Sequence, residues 1–192
     1  MSRTAKAAKK YFGDTARQYD AKRERKDMWH REASVLRELL ETRRPGQFLL
    51  DCPVGTGRFL PMWAEFGFTV TGVDISKDML RLCAGKRQRA DTVLKVGDIF
   101  RLDASREAFD IAVAIRIITL IDEPDMMRAL RELQRVTRRE IIFNTRVPTS
   151  AGTRRNAQRL EAIEASLGKG WRIADNLEIH EPSFRMIRLC RD

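Results

Sequence analysis

Apolar residues recur along this chain with two periods that alternate. Trp29, Ala33, Leu36 and Leu40 fall at i, i+4, i+7 and i+11, and predict a helix opening the fold near residue 27. Arg43, Arg44 and Pro45-Gly46 end it. "QFLLDC" then reads as a short apolar strand, and "RFLPMWAEF" as a helix with Gly67 just past its end. "FTVTGVD" is a second strand. Ser76 can cap a helix running to about Lys86 that buries Met79, Leu80 and Cys83. "TVLKVGD" and "FDIAVAIRII" are strands three and four. Asp122 with Pro124 starts a helix whose Met126, Leu130 and Leu133 share a face. "EIIFNT" is a fifth strand. Leu160, Ile163 and Leu167 align on a helix expected over Thr153–Leu167 and stopped by Gly168. "WRIADNLEIH" and "FRMIRLC" close the chain as two strands around Glu181-Pro182-Ser183.

Strands separated by helices build βαβ units, so the expected class is α/β: a doubly wound, Rossmann-like sheet, mainly parallel. No helix separates the last two strands, so they pair antiparallel at one edge. At 192 residues the chain is long enough for one full core. The expected organisation is a basic segment over residues 1–26 and one domain over residues 27–192.

Composition adds a partner question. No apolar run approaches a membrane span, and the N-terminus has no apolar signal core. Cys52, Cys83 and Cys190 are widely separated, which predicts neither a disulfide framework nor a metal site and fits a reduced, cytoplasmic protein. Net charge is +10 and the pI about 10.1. Residues 1–32 hold ten Lys/Arg against five Asp/Glu. Such an excess favours an anionic partner: nucleic acid, an anionic membrane surface or an acidic substrate.

"LLDCPVGTGRFL" carries the candidate chemistry. A strand ends in Asp51, and a loop from Pro53 to Gly57 leads into a helix. Ligands of doubly wound sheets bind at the carboxyl ends of the strands, and Gly55 and Gly57 would let one approach the backbone. Asp74 ends the second strand about 20 residues later, where an acid can accept from both ribose hydroxyls of a nucleoside. Asp98 follows the third strand, where an acid can accept from an adenine amino group. Gly57 is followed by Arg58-Phe59 rather than Lys-Ser/Thr, which argues against a P-loop. Leu60 stands where a dinucleotide fingerprint needs glycine. S-adenosylmethionine has no phosphate and suits this loop.

Asp51-x-Pro53-x-Gly55-x-Gly57, Asp74, Asp98, "FDIAVAIRIITLI" and "ALRELQRVTR" together resemble the class I S-adenosylmethionine-dependent methyltransferases, closest to the ubiquinone/menaquinone-type small-molecule branch. Pro53 replaces the first glycine of that family's loop. The resemblance implies a seven-stranded sheet of order 3-2-1-4-5-7-6 with strand 7 antiparallel. It implies that Gly55 and Gly57 line the methionine part of the cofactor, with Asp51 on its ammonium side and Pro53 counted among the cofactor-binding residues. Arg116, an arginine on an apolar run, calls for an anionic partner, which is either the substrate or methionine carboxylate or a nearby structural Asp. Asp74 would bind the ribose, Ile75 and Met79 pack the adenine, and Asp98-Ile99 read its edge. Tyr11 and Tyr19, in "YFGDTARQYD", resemble the family's N-terminal lid.

Methyl transfer requires alignment and exclusion of water, and a base only for a poor nucleophile. Tyr19 and Arg116 are the candidate catalytic residues; Tyr11, Tyr19, Thr119, Asn144 and Arg146 are candidates to touch substrate. His30 and His180 read as ordinary surface or packing residues. "AIRIITLIDEP" stands where amino-methylating nucleic-acid enzymes carry Asn/Asp-Pro-Pro-Tyr/Phe, which favours a small-molecule or lipid-like substrate. Two alternatives remain open: an RNA methyltransferase using the basic N-terminus, and a non-catalytic S-adenosylmethionine-binding protein.

Overall fold

The computed structural model describes residues 27–85, 91–150, 152 and 156–192. Helix α1 (Asp27–Leu40) leads into β1 (Phe48–Asp51), α2 (Leu60–Glu65) and β2 (Thr69–Asp74). Next come α3 (Lys77–Gly85), β3 (Thr92–Val96) and β4 (Phe109–Ala114). A 3-10 turn (Ile118–Leu120), α4 (Glu123–Val136), β5 (Thr137–Arg146), α5 (Leu160–Ala165), β6 (Trp171–Glu178) and β7 (Phe184–Arg191) complete the chain. The seven strands form one sheet of order β3-β2-β1-β4-β5-β7-β6. β1 through β5 are parallel, and β7 runs antiparallel to both β5 and β6. This is the expected architecture.

Alternation along each central strand divides the core. Leu49, Ile111, Val113 and Ile142 face α1, α2 and α3, where they pack with Leu36, Leu40, Trp63 and Cys83. Their neighbours Leu50, Ala112, Ala114, Ile141 and Phe143 face α4 and α5 and meet Met126, Leu130, Leu133 and Ile163. Both faces are covered, which is why these strands read as continuous apolar runs. Asp122 caps α4 by accepting from Asp125 N–H at 3.1 Å. Ser76 Oγ likewise accepts from Met79 N–H at 3.3 Å ahead of α3.

Two expectations need correction. Among the described residues, the helix expected over Thr153–Leu167 is confined to Leu160–Ala165. Asn156 has φ +57°, and the buried Gln158 donates through Nε2 to the Ile118 and Ile121 carbonyls. Those long-range bonds hold the chain out of helical geometry. The fourth strand is also shorter than its apolar run, ending at Ala114. Arg116 lies beyond it at φ +67°, its N–H taken by Asn144 Oδ1 at 2.7 Å.

Candidate functional site

The parallel strands end together, and a cleft of about 120 Å³, open to solvent, lies over the carboxyl ends of β1, β2, β3 and β4. The glycine loop forms its floor and is sewn to the sheet. Cys52 N–H donates to Val113 O at 3.0 Å, and Val54 N–H to Val73 O at 2.9 Å. Gly55 N–H donates to Asp74 Oδ2 at 2.9 Å, while Ser76 N–H donates to Oδ1 at 2.8 Å. Burial raises the Asp74 carboxyl above its ordinary value, and these backbone donors oppose the rise.

The two loop glycines do different work. Gly55 has φ +57°, lines the cleft, and has no atom within 4 Å of where a Cβ would stand. Gly57 has φ +75° and is not among the lining residues; a Cβ there would lie 2.7 Å from both Cys83 Sγ and Leu60 Cδ1. Helix packing requires the second glycine, and the open cleft surrounds the first.

Pro53, Asp74, Ile75, Met79, Asp98, Ile99 and Arg116 all line the cleft. Asp51 does not. It is buried beneath the loop, where its Oδ2 accepts from Trp63 Nε1 at 2.8 Å. Burial raises its carboxyl to about 7; the Trp63 bond opposes the shift, the Asp74 charge adds to it and Arg58 opposes it. Thr119 sits half-buried in the 3-10 turn, outside the lining. Asn144 is fully buried, and Arg146 bonds to Glu181 and Ser183. His30 and His180 are exposed. Tyr11 and Tyr19, with the basic segment over 1–26, lie outside the described residues.

Sequence reasoning missed Glu32. Its side chain is fully buried, yet it is charged and triply engaged. Oε2 pairs with Arg58 Nη1 at 2.8 Å, and Oε1 with Arg116 Nε at 2.6 Å. Asn144 Nδ2 also donates to Oε1. Arg58 stacks on the Trp29 ring, 3.5 Å from its centroid, and bonds to the Trp29 carbonyl. Glu32 thus ties α1 to the glycine loop, to the β4 exit and to β5. A signal existed: Glu32 lies three residues after Trp29 and four before Leu36, on the helix's apolar stripe.

A methyltransferase-domain family model matches residues 49–140, which hold the glycine loop, Asp74, Asp98 and the β4 exit. Residues 49–140 thus match a methyltransferase domain, and together the comparisons support a class I S-adenosylmethionine-dependent methyltransferase. Among its relatives is a malonyl-acyl-carrier-protein O-methyltransferase of Serratia marcescens, 40% identical over 103 residues, covering 53% of this chain and 39% of that protein. A demethylmenaquinone methyltransferase of Beutenbergia cavernae is 33% identical over 135 residues, covering 66% and 52%. The match thus spans about half or less of these methyltransferases' length. In fold, the crystal structure of magnesium protoporphyrin IX methyltransferase from Synechocystis, with bound SAH, superposes with TM-score 0.72 at 18% identity, covering 86% of this chain and 83% of that one.

Proposed function

We propose that the cleft binds S-adenosylmethionine and that the chain transfers its methyl group to a small-molecule or lipid-like acceptor bearing an anionic group. The observation that carries this reading is the wall made by Gly55 and Asp74: an open backbone beside a buried carboxylate oriented by two amides. That pairing suits a nucleoside whose attached chain crosses the loop. Leu60 is buried in the core, so the loop has no glycine there for a pyrophosphate to approach.

When bound, the cofactor supplies an electrophilic sulfonium methyl group. In this reading Asp74 accepts from the ribose hydroxyls. Ile75 and Met79 pack on the adenine, and Asp98 with Ile99 meets its amino edge. Pro53 and Gly55 pass along the methionine portion. Asp51 and Gly57 act from beneath, one by accepting from Trp63 and the other through packing. Arg116 lines the cleft, and its side chain is only 23% exposed. Arg58 and Arg116 both pair with Glu32, which holds two guanidinium-bearing side chains against this side of the cleft. That supports an anionic acceptor, and an anionic oxygen or carbon needs no general base. No histidine lines the cleft among the described residues, which fits the same economy.

The relatives act, by name, on a malonyl thioester of acyl carrier protein and on demethylmenaquinone. Both support the acceptor class without choosing within it. Thr119, Asn144 and Arg146 lie along the same rim or behind it, and residues 1–26 with Tyr11 and Tyr19 are assigned the role of a lid; deleting them should lower turnover while the domain still unfolds cooperatively. No helix among the described residues is long and apolar enough to cross a membrane. None of the three cysteines is in a disulfide, which supports assignment to the cytoplasm.

The test is calorimetric titration with S-adenosylmethionine, S-adenosylhomocysteine, NAD and ATP, followed by transfer of labelled methyl to extracted metabolites, lipids and RNA. Heat from the two sulfur ligands alone, and label in the metabolite or lipid fraction, is expected. Silence from both sulfur ligands removes the reading.

A further inference from the structure

The positive charge of this chain is not concentrated at the cleft, where Arg58 and Arg116 are offset by Glu32, Asp74 and Asp98. The opposite end of the sheet is different. There β4 and β5 begin and β7 ends. A groove of about 430 Å³, open to solvent, runs between the last turns of α4, the turn entering β6 and the segment preceding β4. Arg106, Arg131, Arg135, Lys169 and Arg191 line it, and among the described residues no carboxylate does.

Two of these five cations have acidic partners behind the groove. Arg135 pairs with Glu132 at 2.7 Å, and Arg191 with Glu107 at 2.6 Å. Arg106, Arg131 and Lys169 are exposed and make no hydrogen bond or ion pair among the described residues. The frame beneath them is built. The buried Gln134 donates to the Leu130 and Ser166 carbonyls, each at 3.1 Å, and accepts from Gly168 N–H at 2.7 Å. That fixes the turn carrying Lys169 against α4. Arg135 donates to the Leu102 and Ala104 carbonyls at 3.0 and 2.8 Å, fixing the segment that carries Arg106. Like charges are therefore held in one concavity by buried and partly buried polar bonds, where self-repulsion opposes their gathering.

We infer that this groove is a binding site for a small, multiply charged phosphate compound, distinct from the methyl-transfer cleft. Four of the five cations are guanidiniums, whose planar forks match the oxygens of a phosphate better than an ammonium does. The volume suits a small ligand. Trp171, the groove's aromatic residue, is 9% exposed, so the groove offers no platform on which nucleic-acid bases could stack. The site does not depend on what the cleft binds.

The experiment uses the full chain and tripolyphosphate as the probe, titrated calorimetrically in about 50 mM salt, where screening is modest. Citrate at matched ionic strength and a single-stranded RNA oligomer are the comparison arms. Saturable binding of one tripolyphosphate per chain is expected, weakening as salt rises. Reversing two exposed charges together, Arg131→Glu with Lys169→Glu, should weaken it at least about tenfold. Lys95→Glu, an exposed cation on the edge strand β3, should leave affinity within about twofold, because it lies far from the groove. Unchanged melting of the unliganded variants, and unchanged S-adenosylhomocysteine binding in them, confirms that only the groove was altered. No saturable heat, equal loss with Lys95→Glu, equal affinity for citrate, or RNA binding that tripolyphosphate does not displace would each overturn the assignment.

Discussion

Replacing Glu32 by alanine tests whether α1 is clamped onto the cleft by charge or merely rests on it through Leu36 and Leu40. Breaking a buried ion pair by removing one partner costs about 3–5 kcal/mol. Here the residues left behind are guanidiniums whose side chains are 11% and 23% exposed, so both can recover some hydration, and the low end applies. Asn144 also loses the acceptor for its buried Nδ2, and an unsatisfied buried donor adds about 1–3 kcal/mol. The groups share one network and the terms do not add fully, so the expected loss is about 4 kcal/mol. For a chain of this size that lowers Tm by roughly 8–16 °C. The consequence should reach the cleft. Arg116 holds a left-handed backbone at φ +67°, a conformation that persists only while its surroundings enforce it. Losing Glu32 removes one of its restraints, and S-adenosylhomocysteine affinity should fall about tenfold, or about 1.4 kcal/mol. Glu32→Gln keeps an acceptor for Asn144 and should cost roughly half as much, since the charge alone is lost. Urea unfolding and calorimetry on the three proteins decide. A loss below about 1 kcal/mol with Glu32→Ala would refute the clamp, given what buried pairs cost. A large loss with unchanged ligand affinity would refute its connection to the cleft.

Four further outcomes follow from the same geometry. Gly57→Ala should destabilise the fold by about 2–4 kcal/mol, from a strained φ and from overlap with Cys83 and Leu60. Gly55→Ala, in open space, should cost only about 1 kcal/mol of stability yet weaken S-adenosylhomocysteine binding; urea midpoints that rank the two the other way round disprove the division of labour. Asp74→Ala should lose at least about 2 kcal/mol of ligand binding while remaining folded, measured by titration beside circular dichroism, and unchanged affinity moves the ribose site elsewhere. Asp51 predicts a pH dependence: its carboxyl stands at about 7 in the fold against an ordinary 3.8, so the native state holds a proton that the unfolded chain has released. That contribution is complete below about pH 4 and is lost as pH rises through 7, on the order of 4 kcal/mol in all. Stability of the wild type relative to Asp51→Asn should therefore decline between pH 5 and 8, and parallel urea curves over that range contradict it.

Residues whose task is set by the backbone were legible in the sequence, and residues whose task is set by a distant side chain were not. Gly55 had to be glycine at the end of an apolar strand, and Asp74 had to close the next strand. Both stand where the spacing put them, and they bond to each other. Met79, Leu80 and Cys83 are the buried face of α3 as their periodicity required. Gly57 had the same local signature as Gly55, and only the position of Cys83, brought in by a different helix, shows that packing claims it. Arg116 prolonged an apolar run and read as a strand residue. The strand stops because Asn144, on the neighbouring strand β5, takes its amide. Gln158 hid inside a helical pattern while its carboxamide reached the Ile118 and Ile121 carbonyls. In each case the deciding bond crosses elements that the local pattern treats separately. Glu32 is the extreme case, since its partners come from three other segments. An acid on an apolar helical stripe should therefore be read as a demand for buried cations elsewhere in the chain. In this sequence two arginines at the cleft, Arg58 and Arg116, answer that demand. Their shared carboxylate holds both arginines against the wall of the cleft, so a residue that read as part of an apolar stripe positions the cations an anion would meet there.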